Sequence, residues 1–172
     1  DGLIKTANQS ISFITKKQGI NGLPVQAVAR AGKSIIAAGP KGLNVLYDEK
    51  NIQFFPFEEK GLINPRQQIH QLKADSFGNV WLLSNTQGLW YTNNYINWQQ
   101  IGNQLNILAF EVNKKGKIFT VSNAGLFEAM PDGLVLITPL PQGVKAHNIV
   151  WHNNALLLLA NNGIYRLNGK KW

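Results

Sequence analysis

The chain has 172 residues, 44% hydrophobic and only 15% charged, which excludes a disordered chain and suffices for one domain with a real core. Its formal net charge is +8, and it has no cysteine, so disulfides and thiolate metal sites are excluded while the compartment stays open. The cations are scattered, the densest being the pairs Lys16-Lys17, Lys114-Lys115 and Lys170-Lys171 in turn-like sequence, and they read as solvated turn lysines, not as a nucleic-acid surface.

In chain order, Asp1-Gly2-Leu3 has neither a basic n-region nor a long apolar h-region, so no signal peptide is expected there. Gly2-Leu3-Ile4 opens one strand and "SISFIT" (10–15) a second. From residue 25, "VQAVARAGKSIIAAGPKG" reads as a strand, a narrow turn at Gly32, an apolar strand and a turn ending in Gly42. Gly42-Leu43-Asn44-Val45 then starts a third strand, and "NIQFFPF" (51–57) gives a fourth. "IHQLKADSFGNVWLLSNTQG" (69–88) repeats the unit with a wide turn at 75–79, followed by Gly88-Leu89-Trp90-Tyr91 and "INWQQI" (96–101). "ILAFEVNKKGKIFTVSNAG" (107–125) does so again, with Gly125-Leu126-Phe127 and "LVLITPL" (134–140). "HNIVWHNNALLLLANNG" (147–163) leads to Gly163-Ile164-Tyr165 and the tail "LNGKKW", which aligns with "NNYINW" (93–98). Its apolar run Ala155–Ala160 is the longest in the chain and far too short to span a membrane, so no membrane contact by this segment is expected.

The glycines that precede the third strands, at 2, 42, 88, 125 and 163, recur at intervals of 40, 46, 37 and 38 residues. Four short strands per unit at a period near 40 predict an all-β fold, a β-propeller. About four four-stranded blades are expected (24–58, 69–101, 106–140 and 147–172, the last cut short), plus a leading half blade at 1–17. The chain is read as one partial-propeller domain, part of a larger ring. A single blade cannot bury both its faces, whereas stacked blades can. The near-continuous apolar runs "SIIAAG", "VWLLS", "IFTVS" and "ALLLLA" fit second strands covered on both sides. No segment holds a helical period for three turns.

"DSFGNVWLLSNTQGLWY" (75–91) resembles the two-component regulator propeller repeat, whose pattern is Asp-x-x-Gly-Asn-Leu/Val-Trp-Ile/Leu-Gly-Thr-x-x-Gly-Leu. Asp75, Gly78, Asn79, Val80, Trp81, Leu82, Gly88 and Leu89 match, while Leu83 and Ser84 depart from it. "GLPVQAVAR" and "GLINPRQQIHQLKAD" are similar to the family's lead-in. The other copies keep mainly the Gly-Leu pair and the apolar strand. The resemblance implies the sensor region of a bacterial signalling receptor, periplasmic or otherwise extracytoplasmic. Its parent protein would be membrane-anchored, with a histidine kinase or diguanylate cyclase as output domain.

Catalytic and metal-binding residues are expected to be none, and no cofactor is expected. Glu58-Glu59 is an acid pair on a between-blade loop, but adjacent residues rarely converge on one bond. His70, His147 and His152 lack metal spacing; the first two sit near starts of first strands, facing the ring's entrance or simply hydrogen-bonded. The five tryptophans could stack on sugars, but their repeat-equivalent places favour packing between blades. The turns between second and third strands share a face with the between-blade loops, and ligand contacts are expected there from Lys41, Arg66, Asn85, Gln87, Asn123, His147 and Asn161. Asparagine is also simply a good turn residue. The functional reading is a non-catalytic ligand-sensing propeller module whose partner is a small ligand, a glycan or a protein. The alternatives are a protein-interaction scaffold and, third, a propeller hydrolase or lyase. Self-association through the open blade ends is also expected.

Overall fold

The computed structural model describes residues 3–7, 10–48, 50–57 and 68–172, with the side chains of the first strands described from Phe13 onward. The strands are β1 (Leu3–Ala7), β2 (Ser10–Ile14), β3 (Ala27–Ala31), β4 (Ser34–Gly39), β5 (Gly42–Leu46), β6 (Ile52–Pro56), β7 (Ile69–Ala74), β8 (Val80–Ser84) and β9 (Gly88–Thr92). They continue with β10 (Gln99–Ile101), β11 (Ile107–Val112), β12 (Ile118–Ser122), β13 (Gly125–Met130), β14 (Gly133–Thr138), β15 (Ala146–His152), β16 (Ala155–Ala160) and β17 (Gly163–Arg166). One 3-10 turn, Lys16–Gln18, follows β2.

Every sheet is an antiparallel meander: β1-β2, β3-β4-β5-β6, β7-β8-β9-β10, β11-β12-β13-β14 and β15-β16-β17. The first strands neighbour one another, β3 beside β7, β7 beside β11 and β11 beside β15, so the four larger sheets fan around a common axis as blades. The chain is thus an arc of a β-propeller. In the fourth blade the place of the outer strand is taken by a turn closed by the Asn168–Lys171 bridge. Trp172 nonetheless packs into the interface of the third and fourth blades, as Trp98 packs into that of the first and second.

The period-2 rule of a strand explains the apolar runs. In β8, Val80 and Leu82 pack backward with Ile36, Ala38 and Leu43 of the first blade. Trp81 and Leu83 pack forward with Ile107, Phe110 and Ile118 of the third. β12 repeats the arrangement, with Ile118 facing backward and Phe119 and Val121 facing the fourth blade. Ile14 of the leading hairpin meets Ile20, Ala37 and Leu46. The second strands of the first three blades therefore each serve two cores, whereas β16 of the fourth contributes Leu156 and Leu158 to one. The tryptophans are interface residues: Trp81, Trp90 and Trp98 are buried, and Trp151 stacks on Phe119 with ring centroids 5.4 Å apart.

Side-chain carbonyls stitch the first strands together. Ile69 N–H donates to Gln26 Oε1 of the preceding blade (3.0 Å), and Phe110 N–H to Gln71 Oε1 (2.8 Å). The turns follow from residue type. Between β3 and β4, Gly32 has positive φ, and between β15 and β16 both Asn153 and Asn154 do, as tight two-residue hairpins require. Gly39 is buried at the end of β4, where a Cβ would run into the carbonyls of Gly22 and Pro24, so the incoming linker can cross the strand there.

The wide turn of the second blade hangs on one carboxylate. Asp75 Oδ1 accepts from Phe77 N–H (2.9 Å) and Asn79 N–H (3.0 Å), while Oδ2 accepts from Asn79 Nδ2 (2.8 Å) and Trp81 Nε1 (3.4 Å). The equivalent turn of the third blade has Asn113, whose Oδ1 accepts from Lys115 N–H and Lys117 N–H, both at 2.9 Å. There Lys117 stands where Asn79 stands and Phe119 where Trp81 stands. The second pair of donors is gone, and a carboxamide does the remaining work.

Tyr91 packs on Trp81 at 4.8 Å, and burial, then the charge of Asp75, raises its pKa above the ordinary value of 10.0. A raised phenol stays protonated in the fold after the unfolded chain has lost its proton, so this contribution is complete below about pH 10 and is lost as pH rises through the folded value. Alkaline unfolding monitored by far-ultraviolet circular dichroism is expected to begin at higher pH in Tyr91→Phe; an unchanged profile would contradict this.

Candidate functional site

The strands place two sets of loops on opposite faces of the arc. One face carries the turns between second and third strands and the described residues of the between-blade linkers. The other carries the turns between first and second and between third and fourth strands.

On the first face, Lys41, Asn85, Asn123 and Asn161 occupy equivalent turns of successive blades and are exposed, with Gln87 half-buried in the longer turn of the second blade. Arg66, like Glu58 and Glu59, lies outside the described residues. The structure does not gather these side chains into one pocket; it sets one group per blade along a common face. Two of them, Asn85 and Asn161, hold the incoming linker. Asn85 N–H donates to Gln68 O (3.1 Å). Asn161 N–H donates to Lys145 O (3.0 Å), and Lys145 N–H returns a 2.8 Å bond to Asn161 Oδ1. Lys41 O accepts from Phe57 N–H, and Gln87 O from Gln100 Nε2 at 2.6 Å. His147 is exposed at a register shift near the start of β15; β7 and β11 have the same shift at His70 and Leu108. A bulge turns the extra side chain out of the pleat and leaves it unpaired in the ladder.

Lys41 does border a cleft of about 490 Å³, together with Lys16, Asn21, Leu23, Phe54 and Pro56. The buried carboxamide of Asn44 fixes its rim: Oδ1 accepts from Asn21 N–H (2.8 Å) and Nδ2 donates to Asn21 O (2.9 Å).

The opposite face holds a cleft that the sequence reading missed, about 480 Å³, against the first strands of the first three blades. Arg30, Lys73, Glu111 and Lys114 border it, and Lys73 Nζ lies 2.6 Å from Glu111 Oε1. Aligning "IHQLKA" with "ILAFEV" puts Lys73 and Glu111 at the same register, a signal that could have revealed the pair. Among the described residues no group of three or more His, Cys, Asp or Glu could hold a metal ion, and no helix is long and apolar enough to cross a membrane.

No protein-family model and no curated protein matches the chain. Solved structures do. The extracellular domain of a putative hybrid two-component system from B. thetaiotaomicron is similar at a TM-score of 0.63 and 15% identity, over 84% of this chain and 20% of that one. Virginiamycin B lyase from Staphylococcus aureus is similar at 0.64 and 16%, over 83% of this chain and 52% of that one. YCF48 bound to D1 peptide is similar at 0.65 and 16%, over 96% and 56%. The chain spans a fifth to about half of these proteins. The likeness is one of fold: it agrees with the propeller repeat to which residues 75–91 are similar, and it includes extracellular domains of two-component systems.

Proposed function

We propose that this chain is a ligand-sensing propeller section of a bacterial two-component or related transmembrane signalling receptor, acting outside the cytoplasm and non-catalytic by itself. The observation that carries the reading is the turn Asp75–Trp81. Its residues match the two-component regulator propeller repeat, and Asp75 makes the four bonds that give each of its matching donors a reason. The fold likeness to extracellular domains of such receptors supports it. Ligand contacts fall to the linker face, to Lys41, Asn123 and His147 first, because Asn85 and Asn161 are already committed to the linkers. The coding sequence on either side tests the reading. A membrane span followed by a histidine kinase or diguanylate cyclase is expected; an appended catalytic hydrolase or lyase domain without one would contradict it.

The scaffold reading is favoured by one observation, the fold likeness to a propeller in complex with a peptide. Self-association of the chain belongs to the same proposal. Phe13 at one end of the arc and Ile164 at the other are 62% and 71% exposed, and a second copy can cover both. Sedimentation is expected to show a mass rising with concentration, reduced by Ile164→Lys; a strict monomer at high micromolar protein contradicts it.

A further inference from the structure

We propose that the cleft against the first strands of the first three blades binds a small organic dicarboxylate, a role distinct from ligand contacts on the linker face. The register of the repeat makes the opening. At one equivalent position the first strands carry Ala29, Lys73 and Glu111, paired to Ile36, Trp81 and Phe119 of their second strands. The two long side chains meet between the second and third blades. Alanine in the first blade leaves the space beside them empty, a volume of about 480 Å³ within the ordinary range of small-molecule sites.

Charge accounting then sets the ligand class. Both acids bordering the cleft are committed. Asp75 accepts four hydrogen bonds from its own turn. Glu111 Oε1 accepts from Lys73 Nζ (2.6 Å) and Val112 N–H (2.9 Å), with its side chain only 14% exposed. Lys73 is held over the Phe110 ring at 5.8 Å, with further N–H groups to donate. Arg30 spends only Nε, on Gly32 O, and among the described residues neither Arg30 nor Lys114 has an acidic partner. The cleft therefore presents two uncommitted cations from different blades, the first and the third, with a fixed ammonium between them. Guanidinium takes a carboxylate through two parallel bonds, and separated cations match two separated carboxylates better than one point charge.

Titration of the ¹⁵N-labelled chain with succinate at low ionic strength, with inorganic phosphate as a second probe, tests this. Saturable shifts are expected at the amides of residues 72–76 and 111–114, with succinate the tighter ligand. Arg30→Gln and Lys114→Gln, both at exposed positions, are expected to weaken succinate about fivefold each. Lys145→Gln, at an exposed linker-face position that borders neither cleft, is expected to leave it unchanged. The absence of saturable shifts, phosphate binding as tightly as succinate, or equal weakening by Lys145→Gln would overturn the proposal, the last by reducing it to diffuse attraction toward a chain of net charge +8.

Discussion

Replacing Asp75 by alanine is expected to destabilise the chain by about 3 kcal/mol, with a loss of roughly 6–12 °C in melting temperature. The carboxylate closes the turn between β7 and β8 with two backbone bonds and ties it to Asn79 and the Trp81 indole with two more. Trp81 is 2% exposed, so its orphaned N–H would have little access to water. Asp75→Asn is expected to cost less, about 1–2 kcal/mol, because one oxygen can serve the backbone donors while an NH₂ then faces the other two. Asn113→Ala, which removes only backbone acceptance, is expected near 1 kcal/mol. Thermal melts of the three variants check the order; equal losses for Asp75→Ala and Asn113→Ala would mean that the Asn79 and Trp81 bonds contribute nothing.

Leu89→Ala is expected to cost about 3 kcal/mol and Ile164→Ala less than about 0.5 kcal/mol, although the two occupy the same place in the repeat. Each follows the glycine that starts a third strand and points forward. Leu43, Leu89 and Leu126 are fully buried under the next blade, whereas Ile164 is 71% exposed. A core leucine loses both its transfer free energy and the packing around the hole it leaves, and an exposed isoleucine loses neither. Chemical denaturation of both variants measures the contrast. Comparable losses at a dilution where the chain is monomeric would show that Ile164 is covered within a single copy and would contradict this.

Much of this fold was legible because blade packing is local and repetitive. The Gly-Leu spacing marked the third strands, and runs such as Val80–Leu83 required burial on both faces, which only stacked sheets supply. The Asp75 turn could be read from its spacing. The site was less legible. Asn85 and Asn161 look like free turn residues in the sequence, and only the fold reveals that they fasten the linkers at Gln68 and Lys145. Lys73 and Glu111 lie 38 residues apart, and nothing local brings them together; their meeting follows from the register of two first strands. The same holds for Gln26 and Gln71, whose carbonyls cap the amides of Ile69 and Phe110 in the next blade. Side chains that act between blades are specified by alignment of the repeats, not by their neighbours in the chain.

Ligand-observed NMR on the intact chain tests the central claim most directly, with a set of oligosaccharides, peptides and small organic acids followed over hours. The account predicts that at least one class shows saturable, reversible line broadening and is recovered chemically unchanged. Conversion of any bound ligand to product would contradict it by making the arc an enzyme, and the absence of binding across all three classes would contradict it by removing the sensor.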